Sequence, residues 1–227
     1  MSAPPLASPI SGPGAPRWRL AHFLRATAAR ALLGVYRTRF FGAENVPETG
    51  GFILAGNHVS HLDPALLWAG VPRPTHFVAK QELFDTSFLG WLLPRVYVFP
   101  ISRGSADRVA IQRATDLLVY GEPVGIFPEG TRQSPGVPID QPTEAHAGVA
   151  FIAMRAGVPV VPVGISGTDR ALPRGAKIPR FPRVTIRYGE PVRPEEFTVG
   201  GRKERMQAMT SEIMRRIAVA RAAAEKE

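Results

Sequence analysis

After Gly50 the chain alternates between short apolar segments and amphipathic segments, and this alternation restricts the fold more than any other feature. The predicted strands are GFILAGN, THFVAK, YVFPIS, PVGIF, PVVPVGI and RVTIRYG. Helices are predicted from Pro64, near residues 83–96, and at 107–121, 146–157 and 203–225. Strands that alternate with helices predict an α/β fold, here a single domain with a largely parallel, helix-covered sheet.

The residues before this alternation predict two further segments. Residues 1–16 hold five Pro, two Gly and no charged side chain, which predicts a disordered tail. Apolar residues spaced three and four apart then predict a helix over 17–38, with the stripe Leu20, Leu24, Ala28, Ala31 and Val35. We therefore divide the chain into the tail, an N-terminal amphipathic helical segment at 17–42 and an α/β domain at 43–227.

The positive charge is concentrated in two places. The net charge is +9; residues 1–45 carry six Arg against Glu44, and residues 170–193 carry seven basic residues against Glu190. Membrane headgroups, a phosphorylated ligand and nucleic acid all fit this sign. Arginines beside an apolar stripe are typical of a helix in a membrane interface, whereas a helix packed on the core with solvated arginines is the alternative.

Composition removes several kinds of chemistry. The chain has 0 Cys, which excludes a disulfide framework, a thiolate metal site and a cysteine nucleophile. No apolar run approaches the 18 or so residues of a membrane-spanning helix, so we expect any membrane attachment to be peripheral.

The first chemistry-bearing segment is NHVSHLD, at the carboxyl end of the first predicted strand. His58 and Asp63 can meet only if a strand-to-helix turn separates them, and Pro64 favours such a turn. A carboxylate that holds one imidazole nitrogen leaves the other free to act as a general base. The simpler interpretation of Asp63 is an N-cap that accepts a backbone N–H of the helix, and the two roles are compatible.

Two other interpretations of this segment remain open. His58, His61 and Asp63 could ligate a metal ion, although no second ligand cluster accompanies them. Ser60 could be a nucleophile beside a histidine, although no G-x-S-x-G turn surrounds it.

The second segment is FPEGTR, directly after the strand PVGIF. Gly130 can adopt a positive φ that brings backbone N–H groups close to a ligand, and Thr131 and Arg132 offer a hydroxyl and a guanidinium to a phosphate. Lys80 lies at the end of the strand THFVAK and Arg103 follows the strand YVFPIS, so the cations at these strand ends could converge.

Taken in order, these segments resemble the glycerolipid acyltransferases, in particular the bacterial lysophosphatidic acid acyltransferases. The resemblance covers residues 45–195: NHVSHLD, FPISRG, FPEGTR and VPVVPV are similar to the four sequence blocks of that family. It implies that His58 is a general base oriented by Asp63, and that a phosphate-binding site is shaped by Lys80, Arg103, Glu129, Gly130, Thr131 and Arg132. Gln133 and His146 depart from the residues common in the family, which leaves the acceptor headgroup open.

The resemblance implies transfer of a fatty acyl group from a thioester to lysophosphatidic acid, giving phosphatidic acid. The donor would be acyl-CoA or acyl-ACP, with acyl carrier protein then a partner, and no bound cofactor or metal is expected. We expect the protein on the cytoplasmic face of the cell membrane, bound peripherally to its anionic surface and not to nucleic acid. The alternatives are another lysophospholipid or glycolipid acceptor, a thioester hydrolase, and a non-catalytic basic binding module.

Overall fold

Strand β2 (Ile53–Gly56) forms the centre of the fold because it is buried on both faces of the sheet. Ile53 and Ala55 belong to one apolar cluster, whereas Phe52 and Leu54 belong to the cluster on the opposite face. A strand covered on both sides must be apolar at every position, which explains its continuous hydrophobic sequence.

The computed structural model describes residues 18–101, 108–130, 147–171 and 180–227, so the predicted tail lies outside the described residues.

In these ranges the sheet has seven strands in the order β1-β7-β6-β2-β5-β3-β4. All neighbours are parallel except β6 and β7, which confirms the predicted α/β fold with a largely parallel sheet. The remaining strands are β1 (Arg39–Phe41), β3 (His76–Lys80), β4 (Val98–Ile101), β5 (Val124–Ile126), β6 (Val160–Ser166) and β7 (Thr185–Tyr188).

Helices cover both faces of this sheet. One face packs against α6 (Arg108–Tyr120), α7 (Ala147–Ala156) and α9 (Arg202–Ala224). The other face packs against α3 (Asp63–Gly70) and residues of the N-terminal helix. Helix α8 (Thr168–Ala171) is a short turn after β6. The sheet therefore lies between two helical layers.

The predicted Leu-rich helix near residues 83–96 is broken into three pieces. Helix α4 (Gln81–Phe84) and helix α5 (Ser87–Leu92) are separated by an extended residue, Thr86, and a 3₁₀ turn follows at Leu93–Val96. The aromatic side chains of α5, Phe88 and Trp91, are exposed, whereas Phe99 on the following strand β4 is buried in the core.

The N-terminal helix consists of α1 (Trp18–Leu24), a π-helical turn at Arg25–Ala29 and α2 (Arg30–Val35). A π turn holds more residues than an α-helical turn and so rotates the helix that follows it. The predicted stripe is consequently wrong in its second half: Ala28, Ala31 and Val35 are exposed. The residues buried on this helix and just after it are Ala21, Ala29 and Tyr36.

Strand β1 corrects the predicted start of the α/β domain. Residues 39–41 pair in parallel with β7, so the sheet begins inside the segment 17–42 and not after it. Neither the composition nor the spacing of three residues, Arg-Phe-Phe, distinguishes an edge strand from the end of a helix. Only the pairing with Thr185–Arg187 does so. Within the described residues, no helix combines the length and hydrophobicity needed to cross a membrane.

Candidate active site

The candidate site lies at the carboxyl edge of the sheet. Strands β2, β5 and β6 run parallel, so the residues that follow β2 and β5 emerge side by side. This edge is where open α/β sheets bind their ligands. His58 follows β2, and Glu129 follows β5.

His58 and Asp63 meet across the turn between β2 and α3. The His58 Nδ1 atom lies 2.9 Å from Asp63 Oδ2, which confirms the predicted contact. A carboxylate only accepts hydrogen bonds, so Nδ1 carries the ring hydrogen and Nε2 holds the lone pair. No residue of the described ranges hydrogen-bonds Nε2, and the side chain is partly exposed. This nitrogen can therefore accept a proton from a substrate hydroxyl.

The Asp63 carboxylate organises the turn and does not cap the helix. Its Oδ2 atom also accepts the N–H groups of Val59 (2.8 Å) and Ser60 (2.7 Å), which precede it. The helix has no side-chain hydrogen bond at its N-cap, which is Leu62, so the N-cap role predicted for Asp63 is wrong. Asp63 is fully buried, and its three donors come from the turn and the imidazole.

The turn after β5 contacts His58 at two points. Glu129 Oε2 accepts the backbone N–H of His58 at 3.0 Å, and the Phe127 ring stacks on the imidazole with centroids 4.4 Å apart. Gly130 closes the turn by donating its N–H to the Phe127 carbonyl at 3.0 Å. Its φ of +61° confirms the predicted positive value and explains why glycine occupies this position.

Burial alters the acid–base behaviour of Glu129. Desolvation raises its pKa to about 7, and the nearby charge of Asp63 acts in the same direction. The hydrogen bond from the His58 amide and the charge of Arg221 lower the pKa and only partly offset that rise. The Oε1 atom is buried without a hydrogen-bond partner in the described part of the chain.

Asn57 is a structural residue of this site that sequence reasoning did not single out. It is fully buried, and its side chain pairs with the backbone of Ile165 on β6 through two hydrogen bonds. Nδ2 donates to the Ile165 carbonyl (3.0 Å) and Oδ1 accepts the Ile165 N–H (2.7 Å). This pair ties the start of the His58 turn to the neighbouring strand. The only sequence signal for this role is that Asn57 directly follows an apolar strand, where a polar side chain needs hydrogen-bond partners.

The predicted phosphate-binding residues are brought together only in part. Glu129 and Gly130 lie beside His58, whereas Lys80 ends β3, two strands away from β2, and is exposed. Adjacent strands are about 4.8 Å apart, so roughly 10 Å separates the backbones of those two strands. Arg103, Thr131 and Arg132, like His146 and Gln133, lie outside the described residues.

The geometry does not favour the two other interpretations of NHVSHLD. In the described ranges, no group of three or more His, Cys, Asp or Glu residues is arranged to hold a metal ion. The Ser60 hydroxyl is buried and accepts the N–H of Leu62 at 3.3 Å. The Nδ1 atom of His58 is bonded to Asp63 and not to Ser60, so the histidine is not paired with a serine hydroxyl through this nitrogen.

Comparisons with known proteins identify the family of this chain. The family model described as Acyltransferase matches residues 37–166. The 1-acyl-sn-glycerol-3-phosphate acyltransferase of Bacillus subtilis is 32% identical over 180 residues, which is 79% of this chain and 85% of that protein. The enzyme of the same name from Pseudomonas aeruginosa is 34% identical over 139 residues, 59% of this chain and 51% of that protein.

Other relatives are longer. The chain spans 46% of the length of the chloroplastic acyltransferase BAT2 of Brassica napus, with 29% identity. The crystal structure of the 1-acyl-sn-glycerophosphate (LPA) acyltransferase PlsC from Thermotoga maritima covers 92% of this chain and 83% of its own, with a TM-score of 0.64 and 24% identity, which shows a common fold. Because the family model matches more than half of the sequence and a relative 32% identical to it covers 79%, this chain belongs to the acyltransferase family.

Proposed function

We propose that this protein transfers a fatty acyl group from an acyl thioester to the free hydroxyl of lysophosphatidic acid, forming phosphatidic acid. The observation that carries the proposal is the His58–Asp63 pair at 2.9 Å, with Nε2 available at the carboxyl edge of the sheet. The Bacillus and Pseudomonas relatives are named for this acceptor, which supports the proposal.

The reaction needs one proton acceptor and one developing cation to be stabilised. Nε2 of His58 removes the proton of the acceptor hydroxyl while its oxygen attacks the thioester carbonyl. The buried carboxylate of Asp63 stabilises the imidazolium that forms. The tetrahedral intermediate then expels the thiolate as the carbon–sulfur bond breaks, and the thiolate takes the proton from His58. The acyl group moves directly between substrates.

The residues proposed for the acceptor phosphate are Lys80, Arg103, Thr131 and Arg132, together with the backbone of Gly130. A bidentate guanidinium contact is well suited to a phosphate. We expect Arg132→Ala and Arg103→Ala to raise the KM for a phosphate-bearing acceptor more than the KM for the donor. An equal effect on both constants would assign these arginines to the donor, which we propose is acyl-CoA or acyl-ACP.

Product analysis tests the reaction itself. Purified protein is incubated with lysolipids of different headgroups and with acyl-CoA or acyl-ACP, and the products are identified by mass spectrometry. We expect phosphatidic acid to form fastest, at a rate that depends on His58. A different acylated lipid would move the proposal to another lysophospholipid or glycolipid acceptor. Release of free fatty acid without an acceptor would instead indicate a thioester hydrolase.

We further propose that the protein binds peripherally to an anionic membrane, on the cytoplasmic face of the cell membrane. At one end of the N-terminal helix, α1 packs against the 3₁₀ turn after α5. Phe23 on this helix is 64% exposed and Phe88 on α5 is 67% exposed, which places two large apolar side chains on neighbouring elements. Isolated apolar residues at a surface are ordinary, but aromatic residues beside a basic helix favour an interfacial position.

Near the other end of the N-terminal helix, an aromatic residue from the segment before β7 lies among arginines. Phe181 is 55% exposed, and its ring lies 5.8 Å from that of Tyr36. The exposed Arg37 donates to the Phe181 carbonyl at 2.9 Å, and Arg180 and Arg183 are also exposed. The two basic regions predicted from the sequence therefore meet here, and this charge complements an anionic headgroup layer.

Vesicle co-sedimentation tests the membrane proposal with point variants. Deleting residues 1–40 is unsuitable because it removes the buried Tyr36 and part of β1. We expect Phe23→Ser, Phe88→Ser and Phe181→Ser to weaken binding to phosphatidylglycerol vesicles, and rising salt to weaken it as well. The matched control is Val219→Ser, an exposed apolar position on α9, across the sheet. An equal loss of binding in the control would contradict the proposal.

A further inference from the structure

Glu129 differs from the other residues at the carboxyl edge of the sheet in its burial and in its contact with His58. It is 9% exposed, and it lies in a turn that also presents Phe127 to the imidazole of His58. Its Oε2 atom accepts the N–H of His58 itself, across a sequence distance of 71 residues. Glu129 thus joins the turn after β5 to the residue that carries the general base.

These surroundings are unsuited to phosphate binding by the Glu129 side chain. A carboxylate repels a phosphate, and Asp63 already places a second acidic group nearby. One carboxylate oxygen is engaged by the His58 amide, and the other is buried. The elevated pKa of Glu129, about 7, agrees with a carboxyl group that burial separates from water.

We propose that Glu129 is a positioning residue: its hydrogen bond to the His58 amide, with the Phe127 stack, holds the imidazole so that Nε2 meets the acceptor hydroxyl. Asp63 fixes one ring nitrogen from α3, whereas Glu129 and Phe127 fix the backbone and the ring face of His58 from β5. The imidazole of His58 is therefore held by two elements, helix α3 and the turn after β5. This inference rests on the proposed acyl transfer from a general base at His58.

The test compares Glu129→Ala with Glu129→Gln. The amide oxygen of Gln can still accept the His58 N–H, but it carries no charge, whereas Ala removes the acceptor. We expect Glu129→Ala to lower kcat by about 10- to 100-fold with the acceptor KM changed by less than about threefold, since a small misplacement of a reacting group costs rates of this order. We expect Glu129→Gln to keep kcat within about threefold of the wild type, as the bond is retained.

Glu204→Ala provides a matched control. Glu204 Oε2 accepts the Gly201 N–H at 2.8 Å, which is the same kind of contact at the start of α9. This change should lower the melting temperature without altering kcat, so it separates a general loss of stability from a loss of positioning. Melting curves on every variant establish that the folded protein is being assayed.

Several results would overturn the proposal. A rise in the acceptor KM in both Glu129 variants with kcat preserved would return Glu129 to the binding site. A loss above tenfold in Glu129→Gln would show that the charge matters and not the hydrogen bond. If Glu129→Ala does not fold, the Gln variant alone decides on the same criterion. Absence of acyl transfer in the wild type would refute the proposed function instead. Full activity of His58→Ala would refute the assignment of His58 as its general base.

Discussion

The described part of the chain contains two histidine–carboxylate pairs at opposite edges of the same sheet. At the carboxyl edge, His58 Nδ1 and Asp63 Oδ2 are 2.9 Å apart, and the histidine side chain is 17% exposed. At the amino edge, His76 Nε2 and Glu122 Oε2 are 3.9 Å apart, and the histidine side chain is 5% exposed. The first distance is that of a hydrogen bond, whereas the second is too long for one.

The two histidines differ in the task that their surroundings permit. His76 is packed edge-on against the Tyr97 ring at 5.0 Å, and desolvation, with the charge of Arg113, lowers its pKa to about 4. It therefore stays neutral and buried near pH 7. His58 has one nitrogen held by a carboxylate, and no residue of the described ranges hydrogen-bonds the other, which lies at a partly exposed edge. The two histidines therefore differ in strand edge, distance to the carboxylate and access to solvent, and these differences distinguish the proposed general base from a core histidine.

The largest expected effect separates these histidines directly. His58→Ala should lower kcat by on the order of 10²- to 10⁴-fold, because it removes the general base from a partly exposed turn. His76→Ala should instead cost about 1–3 kcal/mol of stability by truncating a buried side chain, with kcat per folded molecule preserved. Turnover and thermal melting on the same samples check this. Similar kinetic losses in the two variants would contradict the assignment.

The carboxylates of the two pairs should differ in the same way. Asp63→Asn should lower kcat by on the order of 10²-fold, because an amide cannot stabilise the imidazolium by charge. Glu122→Gln should leave kcat unchanged, since Glu122 makes no hydrogen bond to His76. Steady-state kinetics check both. Preserved turnover in folded Asp63→Asn would leave Asp63 with only the backbone contacts of the turn.

The two hydrogen bonds between Asn57 and the Ile165 backbone, which join the His58 turn to β6, can be tested by their effect on stability. Asn57→Asp places a carboxylate oxygen against the Ile165 carbonyl and should cost about 2 kcal/mol in urea unfolding, the penalty for a buried polar mismatch. Asn45→Asp is the matched control. The Asn45 side chain donates a partly buried bond from Nδ2 to the Tyr188 carbonyl at 3.1 Å, so its loss should be smaller. Equal losses would mean that the buried pair contributes nothing special.

The smallest effect is a pH dependence at the amino edge. Because the pKa of His76 is about 4 in the folded protein and 6.5 in the reference state, the unfolded chain binds the proton first as pH falls. This contribution to stability is complete above pH 6.5. It should fall by about 1–2 kcal/mol between about pH 6.5 and 5.

His76→Gln should flatten this slope in urea unfolding measured across that range. Burial raises the pKa of Glu122, so Glu122 contributes a pH dependence of stability with the opposite sign. This contribution is present in the wild type and in His76→Gln, and it cancels when their slopes are subtracted. An unchanged slope in the variant would show that His76 is not desolvated as the structure indicates.

The sequence by itself determined the alternation of strands and helices, the parallel sheet and the pairing of His58 with Asp63. These depend on local periodicity and on a turn of six residues that Pro64 favours. The tertiary structure alone decided four features. They are the rotation of the N-terminal helix by a π turn, the edge strand β1, the hydrogen bonds between Asn57 and Ile165, and the contact from Glu129 to the His58 amide. Three of these join residues 71 to 146 positions apart, and the π turn contacts α3, so all four involve neighbours that a local pattern of residue types does not encode.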